Sequence, residues 1–443
     1  MQNQGIRDAR SLGTPKLLVL GLQHMFAMFG ATVLVPALTG LSVSATLLFA
    51  GLGTLFFHFV TKGKVPAFLG SSFAYLAGYA AIAPNGEAAL LPYACVGVAA
   101  SGLLYLILAA LVRGFGANRV MRFFPPVVTG PIIICIGMTL ANSAINNCTG
   151  SWDIALVAIL TVVSFNIGGK GMLRIIPILL GVLVSYVYAA VTGRVDFSVV
   201  ASAAWIGLPV KMENTVFSLI GNCDANLLVT AIIAIMPIAF ATMIEHIGDI
   251  CAISSTVGAN FIADPGLHRT LLGDGLATSI ASLFGAPANT TYGENTGVLA
   301  LTRVYDPLVI RLAAVYAIIA SFCPKFAALV SAMPTGTIGG VSLILYGMIS
   351  AIGVRNLVEN RVDLAKSRNV IVVSLIISLA LGITFSAAGA ITFHVGEFTL
   401  NFSGLAVAAI VGIVVNAILP GKDYNFQNDY EYGKTTEDHG QML

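Results

Sequence analysis

The chain has 443 residues, of which 57% are hydrophobic and 9% charged, with a formal net charge of +2. Soluble domains carry roughly 25% charged residues, so a water-soluble fold of this size is excluded for want of polar surface. The small net charge gives no basis for a nucleic-acid partner. The six cysteines contain no CxxC pair, so neither a metal site nor a disulfide framework is indicated.

The chain reads as an all-α polytopic membrane protein. Residues 1–15 form a short polar start with no cleavable apolar core, so the run that follows is a span and not a signal peptide. Apolar segments then fall at 16–38, 43–61, 66–83, 90–112, 125–145, 152–168, 173–192, 226–254, 270–286, 289–303, 307–330, 335–353, 369–387 and 401–419. These are about fourteen candidate spans, several shorter than the ~20 residues a straight span needs. The polar stretch 420–443 reads as a disordered tail.

With the N-terminus inside, alternate loops place Arg7, Arg10, Lys16, Lys62, Lys64, Arg113, Arg119, Arg122, Lys170, Arg174, Arg269, Arg303, Arg311, Arg355, Arg361, Lys366, Arg368, Lys422 and Lys434 on the cytoplasmic side. Only Arg194, Lys211 and Lys325 fall outside. This bias predicts a cell-membrane protein with both termini cytoplasmic. An even count divides into two seven-span halves of opposite orientation, 16–192 and 226–419, joined by an extracytoplasmic linker, 193–225.

The third segment of each half is short and broken by Gly, Pro, Ser or Thr: KVPAFLGSSFAYLAG from Lys64 and SLFGAPANTTYGENTGV from Ser282. Unwound backbone is tolerated at membrane depth only inside protein or around a wet cavity. Paired breaks at matching positions therefore point to a binding site at mid-membrane.

Three carboxylates lie in that region. Glu245 and Asp249, in the eighth segment, share a helix face by their i, i+4 spacing. Glu294 sits in the broken tenth segment. Acids at membrane depth are costly and mark proton or substrate paths, so these three are candidates for proton coupling. His246 points about 100° away from Glu245 and is expected to pack or orient. His24, beside Gln23 in the first segment, has a polar backbone or carboxylate as its expected partner, or a core role. Asn295 is expected to tie broken backbone or orient Glu294. His58 is expected to be structural, and Asp274 to form an inner ion pair or cap near Arg269. Phe73, Tyr75 and Tyr292 flank the breaks, where a planar ligand could stack. Acids that accept N–H bonds, beside bare backbone N–H groups, suit a small polar solute with alternating N–H and C=O groups. No nucleophile stands paired with a base, so an enzyme is not indicated. An anion exchanger or channel would call for cations and helix N-termini at the pocket in place of acids.

ENTGVLALTR, from Glu294 to Arg303, is an acidic residue, Asn, any residue, Gly, four residues, Thr and a basic residue. With QHMFAMFGATVLVP, GKVPAFLGSSFAY, EHIG and DPGLHR, it closely resembles the nucleobase–ascorbate transporter family (nucleobase:cation symporter-2), in its bacterial uracil-carrying branch. The resemblance runs from about residue 14 to 420. It implies fourteen spans in two inverted repeats, with a core domain, about 16–112 and 226–330, and a gate domain, about 125–192 and 335–419. Short antiparallel strands in the third and tenth spans would form part of the pocket. It implies a homodimer that couples uptake of uracil to protons, without a further cofactor. By matching position, Glu245 and Glu294 would bond nucleobase N–H groups, and backbone at Phe73, Tyr292 and Gly293 would line the pocket. His24, Ser72, His246 and Asn295 are assigned to its support. At the position of Asp249 a uracil-carrying relative has histidine and purine carriers often have aspartate, which makes xanthine or urate the alternative substrate.

Overall fold

The structure, a computed structural model, describes residues 5–221, 223–395 and 398–421; the polar tail lies outside them from residue 422 on. The first half contains α1 (Thr14–Thr39), α2 (Val43–Val60), β1 (Leu69–Ser71), α3 (Leu76–Ile82), α4 (Leu91–Phe115), α5 (Pro126–Cys148), α6 (Trp152–Gly168) and α7 (Pro177–Val191). The second contains α8 (Ala225–Ile235), α9 (Ala239–Val257), α10 (Leu267–Leu283), β2 (Asn289–Thr291), α11 (Gly293–Thr302), α12 (Pro307–Ser321), α13 (Pro324–Ser331), α14 (Thr335–Glu359), α15 (Ser367–Thr384) and α16 (Gly404–Ile418), with a hairpin of β3 (Ala390–Val395) and β4 (Phe398–Ser403) before α16.

The helix ends follow local chemistry. Ser42, Asp224, Asp306 and Ser403 cap α2, α8, α12 and α16 with side-chain oxygens that accept first-turn N–H groups. Gly40 ends α1 in the left-handed conformation, its N–H donating to Pro36 O. Among the described residues, and with 225–257 (α8 and α9) counted as one, seven helices are long and apolar enough to cross a bilayer, or eight with the bent pair α12–α13 taken as one span. Most of the remaining segments are shorter apolar helices, such as α6, α7 and α16. The chain is therefore a mostly helical polytopic membrane protein.

Helix packing follows a paired pattern. The pairs α2–α12, α1–α12, α6–α7 and α6–α14 have counterparts in α10–α4, α8–α4, α15–α16 and α15–α5. The contact of α1 with β1 is likewise matched by that of α9 with β2, and α1–α7 by α9–α16. Contacts between the first and second halves of the chain include α5 with α14, α2 with α10, and β1 with β2. The helices fall into two packed groups, α1–α4 with α8–α12, and α5–α7 with α14–α16, which meet mainly through α1 and α9.

Two features differ from expectation. The segment 307–330 is not one straight helix: it bends by 88° between α12 and α13, where Pro324 at the start of α13 removes an N–H donor. The stretch between the last two helices is a hairpin, and β4 packs on α8. AITFHV and FTLNFS alternate apolar and polar residues, a strand signal masked by the surrounding helical hydropathy.

Candidate functional site

The two breaks meet. β1 and β2 pair antiparallel in the register Leu69–Thr291, Gly70–Thr290 and Ser71–Asn289. Two flanking backbone bonds lengthen the ladder: Tyr292 N donates to Phe68 O at 3.0 Å, and Ser72 N to Ala288 O at 2.8 Å. All six strand residues are buried. Side chains satisfy what the ladder leaves over. Leu69 N donates to Thr54 Oγ1 at 2.8 Å, Thr278 Oγ1 donates to Asn289 O at 2.9 Å, and Asn289 Nδ2 donates to Phe49 O at 3.1 Å. This is how non-helical backbone is tolerated in an apolar interior.

Each strand runs into a helical start, the turn Phe73–Tyr75 before α3 and Gly293 of α11. Their N-terminal N–H groups have no partner within the helix. Glu294 occupies the first turn of α11, where the helix dipole favours negative charge. On α9, Glu245 and Asp249 sit half-buried, as does Glu294. Asp249 Oδ2 accepts from Thr291 Oγ1 at 2.8 Å, which ties α9 to β2. Glu245 Oε2 makes no hydrogen bond. Gly293 is exposed, and a methyl group on it would meet no atom within 4 Å. Open space therefore adjoins the start of α11 at Gly293, while Glu245 Oε2 is buried.

The aromatic residues take separate places. Phe73 is buried and meets Tyr346 of α14 edge to face, 5.7 Å between centroids. Tyr292 turns its ring inward over Gly70, its hydroxyl donating to Ser71 O at 2.9 Å. Tyr75 is buried, with its hydroxyl 3.3 Å from Thr242 Oγ1. Of the three, the Phe73 ring alone reaches the helix group of α14, and Tyr292 offers the site its backbone.

Asn295 is fully buried; its Nδ2 donates to His24 O at 3.1 Å and lies 3.2 Å from His24 Nδ1. It joins α11 to α1. Ser72 is buried with its hydroxyl unpaired. His58 contacts Ala67 O at 2.9 Å below β1. The expected association of Asp274 with Arg269 is not found: Arg269 donates to Val60 O at 3.0 Å, and Asp274 faces His246 at 3.0 Å on the side of α9 away from the acids. Asp274 lies five residues past Arg269, about 140° around the axis of α10, so the two side chains point in different directions.

Sequence reasoning passed over Thr291, Thr54, Thr278 and Asn289. Asn289 and Thr291 lie in the second broken segment, and that was their signal; Thr54 and Thr278 lie within α2 and α10, and nothing in the sequence singles them out.

A groove of about 500 Å³ opens at the far end of α11, lined by Gln23, Gly169, Lys170, Gly171, Arg174, Leu301 and Thr302. It lies between α1 and α11 on one side and the connection from α6 to α7 on the other.

Residues 15–389 match the model of the Xan_ur_permease family, described as a permease family. The chain is 42% identical over 437 residues to a uracil permease of Bacillus caldolyticus, covering 96% of each chain. It is 40% identical to the uracil permease of Bacillus subtilis (strain 168), over 99% of this chain and 98% of that one. It is 38% identical to the uracil permease of Escherichia coli (strain K12), over 90% of each. Among solved structures, the transmembrane domain of the cyanobacterial bicarbonate transporter BicA superposes with a TM-score of 0.63 at 13% identity, over 94% of this chain and 100% of that one. SLC26A9 superposes at 0.64 and 12%, over 92% and 67%.

Proposed function

Since this chain belongs to the Xan_ur_permease family, and is a permease rather than an enzyme, we propose that it takes up uracil together with protons by alternating access. The observation that carries the reading is the strand crossing. Glu245 carries a buried oxygen without a hydrogen bond, Glu294 stands in the first turn of α11, and the backbone at Gly293 between strand and helix is uncovered. A uracil ring presents N–H groups for the two carboxylates and C=O groups for the helix-terminal N–H groups near Phe73, Tyr292 and Gly293. Relatives named uracil permease, at 38 to 42% identity over nearly the whole chain, support the same substrate.

Proton coupling follows from the acids. Glu245, Asp249 and Glu294 cluster with no Lys or Arg in ion-pair contact among the described residues, and like charges so close cannot all stay ionised. A proton taken up with the substrate and released inside would drive accumulation. His24, Ser72, Asn295 and His246 support the pocket from behind.

Alternating access is supported by the two helix groups. In our reading α1–α4 with α8–α13 form the core and α5–α7 with α14–α16 the gate, as two inverted repeats spanning the membrane fourteen times. The matched helix pairs favour this arrangement. The groove at Lys170, Arg174 and Thr302 is then the cytoplasmic mouth of an inward-open state. Both termini are placed in the cytoplasm by the bias of basic residues. Assembly as a homodimer belongs to the same reading.

The test is uptake of radiolabelled uracil into proteoliposomes, with and without an inward proton gradient, competed by xanthine, urate and 5-fluorouracil. Gradient-driven uptake blocked by 5-fluorouracil is expected. Transport of xanthine or urate in its place would overturn uracil and make Asp249 the mark of a purine carrier. The fold shared with a bicarbonate transporter does not favour an anion substrate, because carboxylates line this site.

A further inference from the structure

Behind the acids, on the far side of α9, lies a second ionisable group of residues. His246 and Asp274 are both 0% exposed, and His246 Nδ1 stands 3.0 Å from Asp274 Oδ2. The contact is off the line of a hydrogen bond: neither ring nitrogen of His246 and neither oxygen of Asp274 makes one among the described residues. A buried carboxylate without a linear partner is costly, so a pair of this kind calls for a functional account.

The sequence builds the enclosure. Asp274 stands between Gly273 and Gly275. A methyl group on Gly273 would lie 2.9 Å from the Phe57 ring, and one on Gly275 would lie 2.3 Å from Tyr105 Cβ. The two glycines let α2 and α4 close on α10. The rings of Phe57 and Tyr105 then stand edge-on to His246, at 6.3 and 6.4 Å between centroids. His246 is held between two aromatic edges, with Asp274 its polar contact among the described residues.

His246 follows Glu245 directly in α9. Its position around the helix axis fixes where Glu245 points, and Asp274 lies within electrostatic reach of Glu245. We propose that Asp274 is a positioning residue for transport: through His246 it holds α9 so that Glu245 faces the strand crossing, and its charge is felt by the acids there. The proposal rests on the reading of the strand crossing as the substrate site. The groups within electrostatic reach of Asp274 are Glu245 and Asp249 on α9, Tyr75 ahead of α3 and Tyr105 on α4. His58 on α2 is turned away to Ala67 O.

The test is saturation binding of radiolabelled uracil to the purified full-length protein across a range of pH, with melting temperature as the folding control. Asp274→Asn keeps the shape of the side chain and removes its charge. It is expected to weaken binding about tenfold and to move the pH midpoint toward acid by about half a unit, since one negative charge fewer stands near the acids. His246→Asn retains a donor for Asp274 and is expected to bind within about threefold of wild type, whereas His246→Phe leaves the carboxylate alone and is expected to lose at least about thirtyfold. In the double variant Asp274→Asn with His246→Phe the losses are expected not to multiply, because each removes the same link. An Asp274→Asn pH profile that overlays wild type, or equal losses in the two His246 variants, would overturn the proposal; the second comparison stands if Asp274→Asn fails to fold. If the wild-type protein binds no uracil, the substrate reading falls, and the same comparisons on whichever of xanthine or urate it binds decide the role of the pair.

Discussion

Thr291 Oγ1 donates a hydrogen bond to Asp249 Oδ2 across 2.8 Å. The bond joins the strand of the tenth segment to the helix of the eighth. It also occupies one oxygen of Asp249 while Glu245 Oε2 stays free, which divides their work: Asp249 is anchored and Glu245 is available. Thr291→Val keeps the shape and removes the donor. A hydrogen bond to a charged group is worth about 1.5 kcal/mol or more, so the KM for uracil uptake should rise roughly tenfold. Unchanged uptake kinetics across pH would remove Thr291 from the site.

Glu245→Gln and Glu294→Gln should separate the two free acids. Glu245→Gln replaces an acceptor-only oxygen by an NH₂ group that opposes a ligand N–H. Uptake should fall at least about a hundredfold, the scale of losing a buried charged acceptor. Glu294→Gln keeps one acceptor oxygen at the helix start, so the protein should still bind but with a changed order of preference among uracil, xanthine and urate. Competition binding on the purified variants distinguishes these outcomes, and wild-type kinetics in either variant would remove that acid from substrate contact.

The site was partly legible in the sequence, and the reasons divide by residue. Glu245, Asp249 and Glu294 were conspicuous because carboxylates are rare at membrane depth. The two breaks were conspicuous because Gly, Pro and Ser interrupt apolar runs. Short antiparallel strands there were expected from family resemblance; the register Leu69–Thr291 through Ser71–Asn289 was not, since no local pattern fixes it for three-residue strands. The inward turn of Tyr292 and the partnership of His246 with Asp274 depend on which helix packs where, and hydropathy carries no such information. The hairpin at 390–403 escaped because length and hydropathy were weighed there ahead of its two-residue alternation.

Outside the membrane, Lys64 pairs with Asp264, joining the loop after α2 to the turn between α9 and α10. The hydrogen bond from Lys64 holds the Asp264 carboxyl below its usual value of 3.8. A carboxyl lowered on folding adds stability above its unfolded value, and that stability is lost as pH falls through the folded one. Asp264→Asn should therefore lower the melting temperature slightly at neutral pH, with the difference narrowing below about pH 4. Both side chains are largely exposed, 44% and 65%, so the effect should shrink with added salt. A difference independent of pH and salt would show that the pair acts through packing.

Two glycines at the crossing should behave oppositely. Gly70 in β1 lies under the Tyr292 ring: a methyl group there would sit 2.4 Å from Cε2 and Cζ of that ring and 2.8 Å from Thr32 Oγ1. The ring is held by the bond from its hydroxyl to Ser71 O. Gly70→Ala should thus strain the strand pair at a cost of about 1–3 kcal/mol, seen as a melting temperature lower by a few degrees together with lost uptake. Gly293, by contrast, opens on space with no atom within 4 Å. Gly293→Ala should leave the melting temperature unchanged and still impair uptake, because its methyl group would enter the space proposed for the substrate ring. Equal stability with full uptake in Gly293→Ala would move the substrate away from the start of α11.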